Sequence, residues 1–154
     1  MAMTRNSRVI KATPGALYRA FTSPEALEVW MAPGEMTGKV HGFELREGGS
    51  YEMSLYYPEN DAASRGKSGL KEDRYTARFV TLQPYTRIVE VIKFDSSDEG
   101  LAGEMIMEVG LEKVTGGTRV TIVFSQIPAG IRPEDNEKGT ELTLDKLAKY
   151  VYEK

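Results

Sequence analysis

The sequence contains no cysteine and only one histidine, His41. Without cysteine there is no disulfide framework, no thiolate metal site and no thiol nucleophile. A lone histidine excludes mechanisms built on a histidine pair and metal centres held by several imidazoles. No basic run exceeds two residues, and the formal net charge is -3. Phosphate binding needs a concentrated basic surface, so nucleic acid is not an expected partner. No apolar stretch is long enough for a signal peptide or a membrane span, and the expected location is cytoplasmic. No linker, repeat or low-complexity tract divides the 154 residues. One domain over 1–154 is expected, and a chain of this size buries roughly 70% of the surface its unfolded form exposes.

What is present is patterned. Ser7-Arg8-Val9-Ile10 reads as the end of a first strand. Thr13-Pro14 and Ser23-Pro24 each look like a helix start, a hydroxyl N-cap followed by proline at the first helical position. Leu17, Ala20 and Phe21, then Leu27, Trp30 and Met31, keep near-helical spacing, so two short helices in tandem are expected. Pro33-Gly34 ends the second. From Met36 the period falls to two. Val40 to Leu45 and Ser50 to Tyr57 form an expected hairpin closed by Glu47-Gly48-Gly49. The polar stretch Pro58 to Leu70 reads as a loop.

Strands are expected over Arg74 to Leu82 and Arg87 to Phe94, joined by the turn Gln83-Pro84-Tyr85-Thr86. Met105, Met107, Val109 and Leu111 alternate with acids, Gly116-Gly117 turns the chain, and Val120, Ile122 and Phe124 alternate again. Pro133, with Glu134 and Asp135 behind it, opens a closing helix whose first turn favours acids. Leu144, Leu147, Ala148 and Val151 form its apolar stripe. The order implies an α+β fold with an antiparallel sheet.

Motifs for common chemistries are scarce. No GxSxG surrounds a serine, and His41 lies within an expected strand, where a structural role outweighs a triad. Gly66-Lys67-Ser68 carries only the tail of a phosphate loop. Glu104 and Glu108 fall on the face opposite Met105 and Met107, and Glu44 and Glu52 sit on the early hairpin. A solvated sheet face explains these acids better than acid–base work. Asp95, Asp98 and Glu99 lack the spacing of a calcium loop. Neither a metal nor a cofactor is expected. Seven methionines, eight tyrosines and one tryptophan are the distinctive stock. They suit a cavity with an apolar occupant, and equally a plain core.

Four stretches, KATPGALYRAFTSPEALEVWMAP, FELREGGSYEMSL, GGTRVTIVFSQIP and DNEKGTELTLDKLAKYV, together resemble the activator-of-heat-shock-protein-ATPase-like branch of the START-like (SRPBCC) helix-grip superfamily. The resemblance spans nearly the whole chain. It implies a curved antiparallel sheet of about seven strands around a long C-terminal helix, with two short helices after the first strand. It also implies a hydrophobic cavity between sheet and helix. The family often carries a histidine near the end of its last strand, where this chain has Phe124, and a tryptophan in the closing helix, where it has Thr140. A chaperone-cofactor role suggested by the family name carries little weight, because the fold serves many functions.

Three functional readings follow. The favoured one is a binding protein for a hydrophobic small molecule, lipid-like or aromatic. Trp30, Phe43, Tyr51, Met53, Leu55 and Tyr57 would supply one part of the lining. Tyr75, Phe79, Met105, Met107, Ile122, Phe124, Leu144 and Leu147 would supply the rest. The alternative is a polyketide cyclase or hydrolase using the same cavity, with Tyr51, Tyr75, Glu52 and Arg74 as candidate polar groups. The third is a protein-partner module with an exposed apolar patch. A monomer and a homodimer are both compatible with the sequence. A void of about 300 Å³ or more favours a binder, whereas a buried Glu or Tyr with a displaced pKa favours the enzyme.

Overall fold

The computed structural model describes residues 2–32, 35–57, 72–96 and 98–152. The expected helix stop at Pro33-Gly34, the stretch 58–70 and the Gly66-Lys67-Ser68 match lie outside these residues.

Strand β1 (Ala2–Ile10) leads into helices α1 (Pro14–Phe21) and α2 (Pro24–Trp30). Both helices start as their sequences require. The Thr13 hydroxyl accepts from the Ala16 N–H and the Ser23 hydroxyl from the Ala26 N–H, each one satisfying a backbone donor the helix cannot. Strands β2 (Thr37–His41), β3 (Ser50–Tyr56), β4 (Glu72–Gln83), β5 (Arg87–Phe94), β6 (Met105–Val114) and β7 (Gly117–Ile127) follow, then helix α3 (Pro133–Tyr152).

The seven strands form one antiparallel sheet in the order β1-β7-β6-β5-β4-β3-β2. Helices α1 and α2 carry the chain from one edge of the sheet to the other. The inward face of the sheet, with α3 packed across it, forms the α+β helix-grip architecture. Alternation decides which side chains turn in. In β6, Met105, Met107, Val109 and Leu111 are buried and the residues between them are not.

The early hairpin is shorter than the apolar pattern suggests. Strand β2 stops at His41, because Gly42 takes a positive φ of 58° and residues 42–49 cross as an irregular loop. Phe43 and Leu45 are therefore loop residues. Phe43 still turns inward, its ring 5.2 Å from Tyr51 and 5.7 Å from Phe79, and so imitates a strand position in sequence.

At the α2 end the core is close-packed. Trp30 is fully buried, meets Phe21 edge-on at 4.7 Å, and donates its indole N–H to the Ala20 carbonyl at 2.9 Å. Met53, Leu144 and Leu147 complete this end of the interior.

Candidate functional site

The other end of the interior is not filled. Between the first half of α3 and the sheet lies a cavity of about 390 Å³. Its inner wall is apolar: Leu55, Ile92, Phe94, Met105, Met107 and Phe124 come from the strands, with Met31 from the end of α2. From α3 it receives only small or polar side chains, Asn136, Gly139, Thr140 and Thr143. Small residues at these helix positions leave the space open. The two threonine hydroxyls turn back on their own helix, donating to the Asn136 and Gly139 carbonyls at 2.8 and 2.9 Å.

The mouth is built by the segment ahead of α3. The Gly130 N–H donates to the Gly100 carbonyl at 2.6 Å, drawing this segment onto the 3-10 turn at Glu99–Leu101. A Cβ at Gly130 would stand 2.6 Å from that carbonyl oxygen, so glycine is required there. Gly130, Ile131, Arg132 and Asp135 line the opening, and Arg132 and Asp135 are exposed to solvent.

One ionisable group stands on the inner wall. Glu90 projects from the middle of β5 with only 1% of its surface exposed, between the buried Ile88 and Ile92 on the same face. The Tyr51 hydroxyl donates to its carboxylate at 3.0 Å. Burial raises the Glu90 pKa from 4.5 to about 7, because a charged carboxylate loses its hydration there; the Tyr51 hydrogen bond offsets part of the rise. Tyr75, on the cavity wall beside it, packs edge-on against Phe94 at 6.2 Å. Burial, and then the Glu90 charge, drive the pKa of both tyrosines upward, so both stay neutral phenols. The centre is thus a carboxyl group near its midpoint at neutral pH, flanked by two hydroxyls and otherwise surrounded by carbon and sulfur.

Two other sequence candidates resolve differently. His41 Nε2 lies 3.2 Å from Ser54 Oγ, and Arg74 Nε donates to that same oxygen at 3.2 Å. Ser54 has no exposed surface, which suits a structural hydrogen-bond node on β3 better than a nucleophile. Glu108 is half exposed and paired with Arg87 at 2.7 Å, a solvated pair on the outer face. No group of three or more acids and histidines suited to a metal occurs among the described residues. No helix among them is long and apolar enough to cross a membrane.

Comparison with known proteins supplies the kinship. Residues 11–152 match the family described as activator of Hsp90 ATPase homolog 1-like protein. The chain belongs to that family. A crystal structure of a protein from Chromobacterium violaceum is 34% identical, with a TM-score of 0.84 over 97% of this chain and 96% of that one. The solution structure of an AHSA1-like protein from Aeromonas hydrophila, 19% identical, superposes with a TM-score of 0.76 over 98% of this chain and 92% of that one. A protein from Arthrobacter aurescens, 17% identical, gives 0.80 over 99% and 87%. No functionally curated protein matches the chain.

In this AHSA1-like chain the two positions where the resemblance leads to an expected histidine and tryptophan fall together. Phe124 and Thr140 both stand on the cavity wall. Of the residues expected to line a pocket, Leu55, Tyr75, Met105, Met107 and Phe124 do so. Tyr51 stands one bond behind the wall, bound to Glu90. Trp30, Met53, Phe79, Ile122, Leu144 and Leu147 are buried in the close-packed core, with Phe43 packed against it. Tyr57 lies just past β3 and donates to Asp73 at 2.9 Å. Glu90 lies outside the expected set. Its signal was an acid in the inward register of Ile88, Ile92 and Phe94.

Proposed function

We propose that this AHSA1-like protein binds a small molecule, apolar over most of its surface, in the cavity between α3 and the sheet. The cavity itself carries the reading: about 390 Å³ with an apolar inner wall, one polar centre and an open mouth, within the range of ordinary ligand sites. The methionines and aromatic rings suit an occupant of irregular outline. The Glu90 centre gives that occupant one point of orientation. Thermal denaturation against a library of lipid-like and aromatic compounds tests the proposal. A ligand at 100 times its Kd adds about 2.7 kcal/mol and raises the melting temperature visibly. A library that shifts nothing ends the reading.

Glu90 favours a second reading, acid–base work on a bound carbonyl compound, since a carboxyl group near its midpoint at neutral pH both gives and takes protons. Incubating a bound ketone in D₂O and following its α-protons by NMR tests it. Exchange no faster than with Glu90→Gln protein rejects it.

A further inference from the structure

Among the described residues the cavity carries one cationic side chain, Arg132, and it stands at the mouth. Among the described residues no Lys, Arg or His pairs with Glu90, and its sole hydrogen-bond partner is the neutral Tyr51 hydroxyl. The groups that meet it from the neighbouring strands are Tyr51 on β3, Tyr75 and the directly opposed Phe79 on β4, and the uncharged Met107 opposite it on β6. From the α3 side the charged groups lining the cavity are those of the mouth, Arg132 and Asp135. Arg132 is bound to Glu134 at 2.9 Å and also feels the charge of Asp135, so at the mouth two acids face one base.

A buried carboxylate without a counter-charge is costly. Placed on a cavity wall, it gains a partner whenever the occupant brings one. The rest of the wall suits the same occupant. Aromatic rings of Tyr75, Phe94 and Phe124 and the thioethers of Met105 and Met107 surround the space, and ring faces attract cations electrostatically.

We infer that the cavity takes an organic cation, a protonated amine on an apolar body, with Glu90 as its counter-charge. This rests on the binding function proposed above and names its ligand class. At roughly 30 Å³ for each water-sized group the space holds on the order of a dozen non-hydrogen atoms. The amine enters past the acidic mouth, its ammonium reaches Glu90, and its body lies against the sulfur and ring surfaces.

The test is a charge series on two bodies: tryptamine, tryptophol and indole-3-acetate, then octylamine, 1-octanol and octanoate, titrated calorimetrically at pH 6, 7 and 8. The Glu90 carboxyl is mostly protonated at pH 6 and mostly ionised at pH 8, while both amines stay charged throughout. The competent fraction therefore grows about tenfold, and amine affinity should rise by about that factor. At pH 8 the amine should bind tighter than its alcohol and its acid on at least one body. Glu90→Gln should abolish that preference and leave alcohol binding in place. If this variant fails to fold, the pH series on the unmodified protein decides.

An alcohol or acid that matches its amine at pH 8 on both bodies overturns the inference, as does amine affinity that stays flat or falls with rising pH. If none of the six binds, the cation reading is overturned as well. The small-molecule function then stands only if the wider library finds a neutral or anionic ligand, and it falls with the cation reading if that library is silent.

Discussion

Helix α3 meets the same sheet in two ways. Its second half presents Leu144 and Leu147, which are close-packed against the strands and α2. Its first half presents Asn136, Gly139, Thr140 and Thr143 to the cavity. Positions 136, 140, 143 and 147 follow one another at four, three and four residues, so they share one face of one helix. Nothing in backbone geometry separates the two halves. The difference is side-chain volume, and it teaches that a helix-grip interior is a core wherever large residues face each other and a cavity wherever one side is left small.

The strongest way to break that comparison is to truncate the packed half. Leu147→Ala removes a fully buried side chain and should cost about 2–5 kcal/mol, the transfer loss plus the new void. Thr143→Ala borders space already present, and alanine is the better helix former, so the change should stay within about 1 kcal/mol. Urea unfolding measures both. Equal losses would mean that the two halves are packed alike.

Next comes the polar centre beneath the open half. The Glu90 carboxyl titrates near 4.5 when exposed and about 7 when folded. A raised acid binds its proton more tightly in the native state. Its contribution is therefore fully present below pH 4.5 and is lost as pH rises through 7. The pKa difference corresponds to about 3 kcal/mol. Unmodified protein should lose roughly that much, relative to Glu90→Gln, between pH 4 and pH 8, as read from urea midpoints. Parallel pH curves for the two proteins would remove Glu90 from the account.

The sequence reveals the packed half more fully than the open one. Caps are local, so Thr13-Pro14 and Ser23-Pro24 place both short helices without knowledge of their surroundings. Strand β5 occupies the expected Arg87–Phe94, because both ends are marked by turns. The β2 boundary is harder, since Phe43 reaches the core from a loop and continues an apolar pattern that the backbone has already left. The cavity depends on what stands opposite each inward residue. Period-two alternation turns Met53 and Met107 to the same interior, yet only Met107 faces open space, because α3 is small above it. Glu90 was legible as an acid in an apolar register. Glu104 and Glu108 flank a cleaner alternation and stand out more readily in the sequence, yet Glu104 is exposed and Glu108 is part-exposed on the outer face.

Filling the open half should convert it into the packed kind. Thr140→Trp places a large ring into the cavity, since Thr140 stands on its wall. Overpacking costs arise when no room exists. Here a tryptophan draws on about 390 Å³, so stability should change by less than about 1.5 kcal/mol. Binding of any ligand found by screening should disappear. A variant that keeps full affinity would place the ligand elsewhere on the molecule.

The smallest effect belongs to Gly139, the residue that keeps the open half of α3 open at least cost in volume. A Cβ built there meets nothing within 4 Å, and no positive φ is needed, so strain does not explain the glycine. Glycine within a helix costs roughly 0.5–1 kcal/mol relative to alanine through its greater freedom when unfolded. Gly139→Ala should therefore stabilise the protein by about that amount, visible as a higher urea midpoint at an unchanged slope. The added methyl enters the cavity, so ligand affinity should fall or hold while stability rises. If Gly139→Ala instead destabilises the fold, the space above Met107 is smaller than its walls imply, and the two halves of α3 differ less than their side chains suggest.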